Sequence, residues 1–170
     1  MEQIPRWAVA MGACTVPHIG GAVGAFLTSG VDRDRWYDNL IKPSWCPPKW
    51  AFPTTWFAIY TGMGYASYLI WMEAGGFKGK AILPLSLYGS QLALNWAWTP
   101  IFFGYRKMGL ATIEIGVLLG VIGGTTVAFY RVNEVAGCLM LPNLLWTAFA
   151  AALTYNIWRS NRDELPYEDL

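Results

Sequence analysis

Two stretches of this sequence place amides and indoles at helical spacing. Tyr88, Gln91, Asn95 and Trp98 stand at i, i+3, i+7 and i+10, so they share one face of a helix. Asn143, Trp146, Ala150 and Leu153 repeat the same offsets further along, and Trp56 and Tyr60 are four apart. If these faces converge, they line a cavity of aromatic rings with a few amide groups, which suits a large, flat, mainly apolar ligand. The alternative is that Gln91 and Asn95 bond across helices and hold them together. Spacing alone leaves the two open.

Other chemistry is sparse. Glu114 is the only charge inside an otherwise apolar stretch, and such a carboxylate is a candidate functional group by default. It lies about 10 Å into its stretch at 1.5 Å per residue, where it could reach the interface or sit protonated against a neighbour. His18 is the sole histidine and has no thiol near it in sequence, so no metal site is expected and a helix-bridging role is. There is no glycine-rich phosphate loop, no serine nucleophile elbow and no carboxylate pair within an apolar stretch. One carboxylate also makes a poor ion-coupled transporter.

The elements that must carry these groups follow from the charges. The chain has 170 residues, 12 of them basic and 11 acidic. Residues 7–31, 50–72, 81–105, 108–130 and 135–158 together contain a single charge, Glu114. Each window exceeds the about 20 apolar residues that a helix needs to cross a bilayer core. A soluble domain would spread charge along one face of each helix. The pattern therefore excludes a soluble domain and a disordered chain. A net charge of +1 excludes a nucleic-acid binder, because no basic excess is available to neutralise phosphates. Three cysteines far apart (Cys14, Cys46, Cys138) exclude a disulfide scaffold.

The expected fold is an all-α membrane protein, one bundle of five transmembrane helices over residues 1–158. The spans are expected at about 7–28, 51–72, 82–103, 108–130 and 136–158, with a loop at 29–50 and a polar tail at 159–170. The first window reads as a span rather than a cleavable signal, since it has no basic residue before it beyond Arg6 and carries Pro17 and His18. With five spans, Arg6, Lys78, Lys80 and Arg131 fall on one side. Arg33, Arg35, Lys42, Lys49, Arg106, Lys107, Arg159 and Arg162 fall on the other, which is therefore expected to be cytosolic. Trp7, Trp50, Trp71 and Trp158 sit at span ends as an interfacial belt.

Small residues repeat every four positions at Gly20/Gly24, Ala58/Gly62/Ala66, Gly89/Ala93/Ala97 and Gly116/Gly120/Gly124. That spacing allows close helix packing in lipid. Packing inside the bundle is the first expectation, and a homodimer through the third or fourth span is the alternative. At the end of the fifth span, Leu153, Tyr155 and Arg159 fit a loose cholesterol-contact pattern, with Ala151 and Ala152 beside them.

Longer motifs carry a resemblance. The run Trp36-Tyr37-x2-Leu40-x-Lys42-Pro43-Ser44-Trp45-x-Pro47-Pro48-x-Trp50 resembles the first-loop signature of the translocator protein family, also called the peripheral-type benzodiazepine receptor or tryptophan-rich sensory protein family. The block Gln91-Leu-Ala-Leu-Asn95-Trp96-Ala-Trp98-x-Pro100-Ile-Phe-Phe103-Gly104 resembles its third span, and Met63–Leu69 and the 146–159 end resemble its animal members. The resemblance covers essentially the whole chain. It implies a five-helix bundle in the outer mitochondrial membrane with a cytosolic C-terminus. It implies binding of cholesterol, of protoporphyrin IX or haem, and of synthetic benzodiazepine-site ligands, with no obligatory cofactor and a role in sterol or tetrapyrrole transport and steroid synthesis. Implied partners are membrane lipid, a second copy of the chain, and other outer-membrane proteins.

By matched position, the resemblance puts the ligand cavity at Ala25, Trp56, Asn95, Leu110, Trp146, Ala150 and Leu153, and the cholesterol motif at Leu153, Tyr155 and Arg159. The first loop, with Trp36, Tyr37, Pro43, Trp45, Pro47 and Pro48, is implied to be a lid. Two departures border that cavity: Leu110 stands where mammalian members carry Trp, and Pro53 precedes the position, Thr54, where the family has Pro. Trp56 and Trp146 match tryptophans implicated in light-driven porphyrin breakdown, so an oxidising enzyme is one alternative function; a ligand-stabilised scaffold is another.

Overall fold

The structure, a computed structural model, describes residues 5–162. It is all-helical: α1 (Arg6–Leu27), α2 (Val31–Asn39), α3 (Ala51–Glu73), α4 (Ile82–Thr99), α5 (Met108–Val132) and α6 (Glu134–Asn161), with a single 3₁₀ turn before α4 and a wide turn at Pro100–Gly104 after it. Among the described residues α1, α5 and α6 are long and apolar enough to cross a membrane. Helix α3, at 23 residues, is of similar length, and α4 has 18.

Three features differ from the sequence expectation. The 29–50 connection contains a helix, α2, and the third apolar stretch is not one continuous α-helix to residue 103. At Pro100 the backbone widens, and Tyr105 N donates to Pro100 O at 2.8 Å, five residues back. Helix α6 also continues through Asn161, so Arg159 is helical. The rest of the polar tail, 163–170, lies outside the described residues.

Helix ends are set by local chemistry. Helix α3 stops in a Schellman motif: Gly75 N donates to Met72 O and Gly76 N to Trp71 O, with Gly75 and Gly76 at φ of 70° and 107°. Asn133 ends α5 and starts α6, its side chain accepting from Ala136 N at 2.9 Å. Gly137 makes that turn tight, because a Cβ there would overlap the backbone of Tyr130.

Going round the bundle, the helices pack in the order α1, α3, α6, α5, α4 and back to α1. Pro17 within α1 gives no N–H to the Ala13 carbonyl. That carbonyl is where α3 crosses: a Cβ on Gly64 would sit 2.6 Å from Ala13 O. At the ring's last junction Trp96 lies on Gly20, its Nε1 donating to Pro17 O at 3.2 Å. Gly20, Gly21 and Gly24 thus pack inward against Trp96, Tyr60 and Thr99. The ridges on α4 and α5 do the opposite. Gly89, Gly116, Gly120 and Gly124 have open space where a Cβ would stand, so these small residues do not serve packing within the chain.

One core cluster closes the end where α3 meets α4 and α5 meets α6, through Ile70, Ala81, Phe129 and Ala136. A second lies at the opposite end, where Phe102, Met108, Leu153 and Ile157 pack beneath Leu40 of the first loop.

Candidate functional site

Helical spacing put four polar or aromatic groups on one face of α4, and the fold divides them. Tyr88 is buried against Phe129, ring centroids 5.8 Å apart. Gln91, 0 % exposed, is held in a network joining three helices. Asn143 Nδ2 donates to Gln91 Oε1 at 3.0 Å, both amides approach Met63 Sδ, and Thr147 Oγ1 donates to Asn143 Oδ1 at 3.4 Å. These amides are helix-joining groups. Asn95 and Trp98, further along the same face, line an internal chamber. Tyr60 on α3 donates its hydroxyl to Asn95 Oδ1 at 2.5 Å.

The chamber has a volume of about 490 Å³ and takes walls from α1, α3, α4, α5 and α6. Its lining is mainly apolar and rich in aromatic rings, among them Phe52, Trp56, Phe57, Trp98, Phe102 and Phe103. Trp98 stacks on Phe102 at 4.9 Å, and Phe103 stands edge-on to both. The Trp98 Nε1–H is buried and has no partner. His18 also faces the chamber, with its ring 4.8 Å from that of Phe57, while its Nε2 lies 3.1 Å from Thr61 Oγ1 and ties α1 to α3.

The first loop covers one end. Gly30, at φ 151°, turns the chain out of α1, and Asp32 and Asp34 sit at the favourable N-terminal end of α2. Trp36 and Tyr37 then point down onto the bundle: Trp36 meets Phe102 and Phe103 edge-on, and Tyr37 meets Phe103 at 5.6 Å. Burial, with the Cys46 thiol beside it, pushes the Tyr37 phenol well above its ordinary pKa. Trp45 packs on Phe149 at 5.6 Å. Pro43 accepts at its carbonyl from Cys46 N, and Pro48 does the same for Ala51 N at the start of α3; Pro47 is half-buried between them.

Charges and amides fasten this cover. Arg106, held at φ 57°, donates to Asp32 at 3.0 Å and lies 5.5 Å over the Trp36 ring. Asn161 at the end of α6 bonds the backbone of Ile41. The first loop, the α4–α5 turn and the end of α6 therefore meet at one end of the molecule. Arg33 and Lys49, each paired with an aspartate of the loop, line the chamber mouth.

The structure brings Ala25, Trp56, Asn95, Ala150 and Leu153 to the chamber wall. Leu110 is exposed on the outside of α5, and Trp146 lines a separate groove between α3 and α6. Leu153 faces inward, whereas Tyr155 and Arg159 are exposed, so the three residues of the cholesterol-contact pattern do not share a face. Glu114 is half-buried, and neither carboxylate oxygen has a partner. Phe52, Phe102, Phe103 and Arg33 were not singled out from sequence. Phe102 and Phe103 depend on the wide turn and Arg33 on α2, and neither element has a periodic signal. Among the described residues no three His, Cys, Asp or Glu side chains come together to hold a metal.

Comparison with known proteins fits this architecture. The TspO/MBR family pattern matches residues 13–159. The chain is 48% identical over 157 residues to human translocator protein, covering 92% of each chain. It is 46% identical over 158 residues to the bovine translocator protein, covering 93% of each. It is also 38% identical over 142 residues to the tryptophan-rich sensory protein of Cereibacter sphaeroides, covering 82% of this chain and 87% of that one. With an all-helical ring around an aromatic chamber and these matches over nearly its full length, this chain is a membrane protein of the TspO/MBR family.

Proposed function

We propose that the chain spans the outer mitochondrial membrane five times, with the lid and the C-terminus in the cytosol. In this proposal the chamber binds a large, flat, mainly apolar molecule: cholesterol, or a tetrapyrrole such as protoporphyrin IX or haem. The observation that carries it is the lidded aromatic chamber of about 490 Å³, within the usual range for small-molecule sites. Flat rings stack on flat rings, and Asn95 in the wall and Arg33 at the mouth give a bound molecule polar anchors. Benzodiazepine-site ligands are of the same flat, apolar kind. Eight of the twelve basic residues fall on the lid side, which supports the cytosolic assignment. The open glycine ridge of α5 leaves a close-approach face for a second copy. Binding for transport or sensing is preferred over light-driven porphyrin oxidation, because only Trp56 of the Trp56/Trp146 pair lines the chamber.

The test is titration of purified protein with cholesterol and with protoporphyrin IX, followed by tryptophan fluorescence. A saturable change that is altered in Trp56→Phe and Asn95→Ala proteins is expected. No saturable change with either compound sinks the proposal.

A further inference from the structure

The charged residues in the chamber wall, Arg33, Asp34 and Lys49, all belong to the lid. Further in, the polar groups are hydroxyls, the Asn95 amide, the Trp98 indole and the His18 ring, and no Lys, Arg, Asp or Glu joins them. The chamber is therefore lopsided, an apolar body with its charge gathered at one end. A ligand without charge would make no use of that end.

Arg33 comes from α2 and Lys49 from the stretch just before α3, so two separate segments of the lid each bring a cation to the same mouth. The Arg33 guanidinium lies over the Phe103 ring, 5.7 Å from its centroid. Phe103 is itself chamber wall, so this contact holds the cation against the space that a flat ligand would fill. Arg33 donates from Nε at 2.9 Å and from Nη2 at 2.7 Å to the same oxygen of Asp34. Its other N–H groups have no hydrogen-bond partner among the described residues. The Arg33 side chain is 30% exposed and that of Asp34 56%. Lys49 reaches Asp38 at 2.6 Å, and Asp38 is outside the wall; both of those side chains are more than half exposed. Pairs so open to water are weakly held, and each aspartate can turn into solvent when another anion arrives. A ligand carboxylate matches the guanidinium fork with two parallel bonds, and away from bulk water the attraction of opposite charges is stronger. An uncharged oxygen is a weaker acceptor than the aspartate that it would displace.

We propose that Arg33 and Lys49 form a carboxylate-reading mouth. The chamber then takes a flat apolar ring system with carboxylate on one edge, and binds it with that edge at the lid. This rests on the chamber reading above and narrows it, favouring a tetrapyrrole acid over a neutral sterol. Asp34 is the built-in competitor, since its carboxylate holds the place on Arg33 that the ligand's would take.

The experiment titrates the full chain in detergent micelles with protoporphyrin IX and, separately, with its dimethyl ester, which keeps the ring and loses the negative charges. Binding is read by tryptophan fluorescence. Partition of each compound into the micelle is the same for every variant. The readout is therefore the acid-to-ester affinity ratio of a variant, set against that of the wild type. Arg33→Gln/Lys49→Gln should lower it roughly tenfold, the weight of a charge-assisted hydrogen bond. Arg33→Lys should lower it less, since the charge stays and the fork goes. Asp34→Asn should raise it, because the competitor loses its charge. An unchanged ratio in the double variant overturns the proposal. If the double variant binds neither compound, Asp34→Asn decides: both cations are then in place, and a ratio no higher than wild type overturns the proposal. Wild-type protein that binds neither compound overturns the chamber reading itself. Saturable binding of both, with the same ratio in every variant, overturns this inference alone.

Discussion

The carboxamide of Asn161 clasps the backbone of Ile41 with two hydrogen bonds. Its oxygen accepts from Ile41 N at 2.9 Å, and its nitrogen donates to Ile41 O at 2.9 Å. These residues are 120 positions apart, and the pair fixes the lid to the end of α6. Asn161→Ala leaves two backbone groups without partners, a loss of about 1–3 kcal/mol from the closed lid. The expected outcome is release of a chamber ligand faster by roughly tenfold, read by stopped-flow competition. Asn161→Asp keeps the acceptor and loses the donor, so its rate should fall between. Unchanged release in both variants would mean that the lid opens elsewhere.

The Gln91–Asn143 pair holds α4 to α6 in the core. Removing one amide strands the other. Asn143→Leu should destabilise the bundle by about 1–2 kcal/mol, measured by unfolding in mixed micelles. The Gln91→Leu/Asn143→Leu double variant should lose less than the sum of the singles, because neither amide is then left alone. Strict additivity would show that the bond is not coupling the two helices.

Gly64 and Gly116 offer a matched contrast. A methyl at Gly64 collides with the Ala13 carbonyl and the Cys14 Cα, both backbone, while one at Gly116 meets nothing. Gly64→Ala should destabilise the fold by about 1–3 kcal/mol, and Gly116→Ala should not destabilise it. If Gly116→Ala instead breaks up an oligomer on size-exclusion chromatography, the α5 ridge is an interface between copies.

Leu110 is 47% exposed on α5 and outside the chamber wall. Leu110→Trp is therefore expected to leave protoporphyrin affinity unchanged in fluorescence titration. Asn95→Ala should weaken it, since Asn95 and its Tyr60 partner are in the wall. A large gain in affinity on Leu110→Trp would place that residue at a second approach to the chamber.

Much of this was legible in the sequence, for identifiable reasons. The helices follow from gaps between charges, since a hydrocarbon environment tolerates few of them. What spacing could not decide is which neighbour a face meets. Gln91 and Asn95 are four apart, yet one fastens helices and the other lines a chamber. Trp146 and Ala150 are also four apart and open onto different spaces, because a shared face is wider than the strip that any one cavity sees. Helix α2 went unread because Val31–Asn39 carries five charges in nine residues. Trp36 and Tyr37 give it a docking edge only once α4 has its wide turn.

The junction of α1 with α4 adds a consequence for how the chain assembles. Hairpins such as α5–α6 join helices adjacent in sequence, and they can form as soon as both are made. Trp96 must find Pro17 across 79 residues, and it does so at the slightest junction in the ring. Closing so long a loop costs entropy before any contact repays it; the α3–α6 junction closes one as long, Met63 and Asn143 being 80 residues apart, but is more broadly packed. The indole of Trp96 is thus the last fastening made as the ring assembles and the first to part when it loosens, so the barrel of helices should come undone along that one line rather than all round.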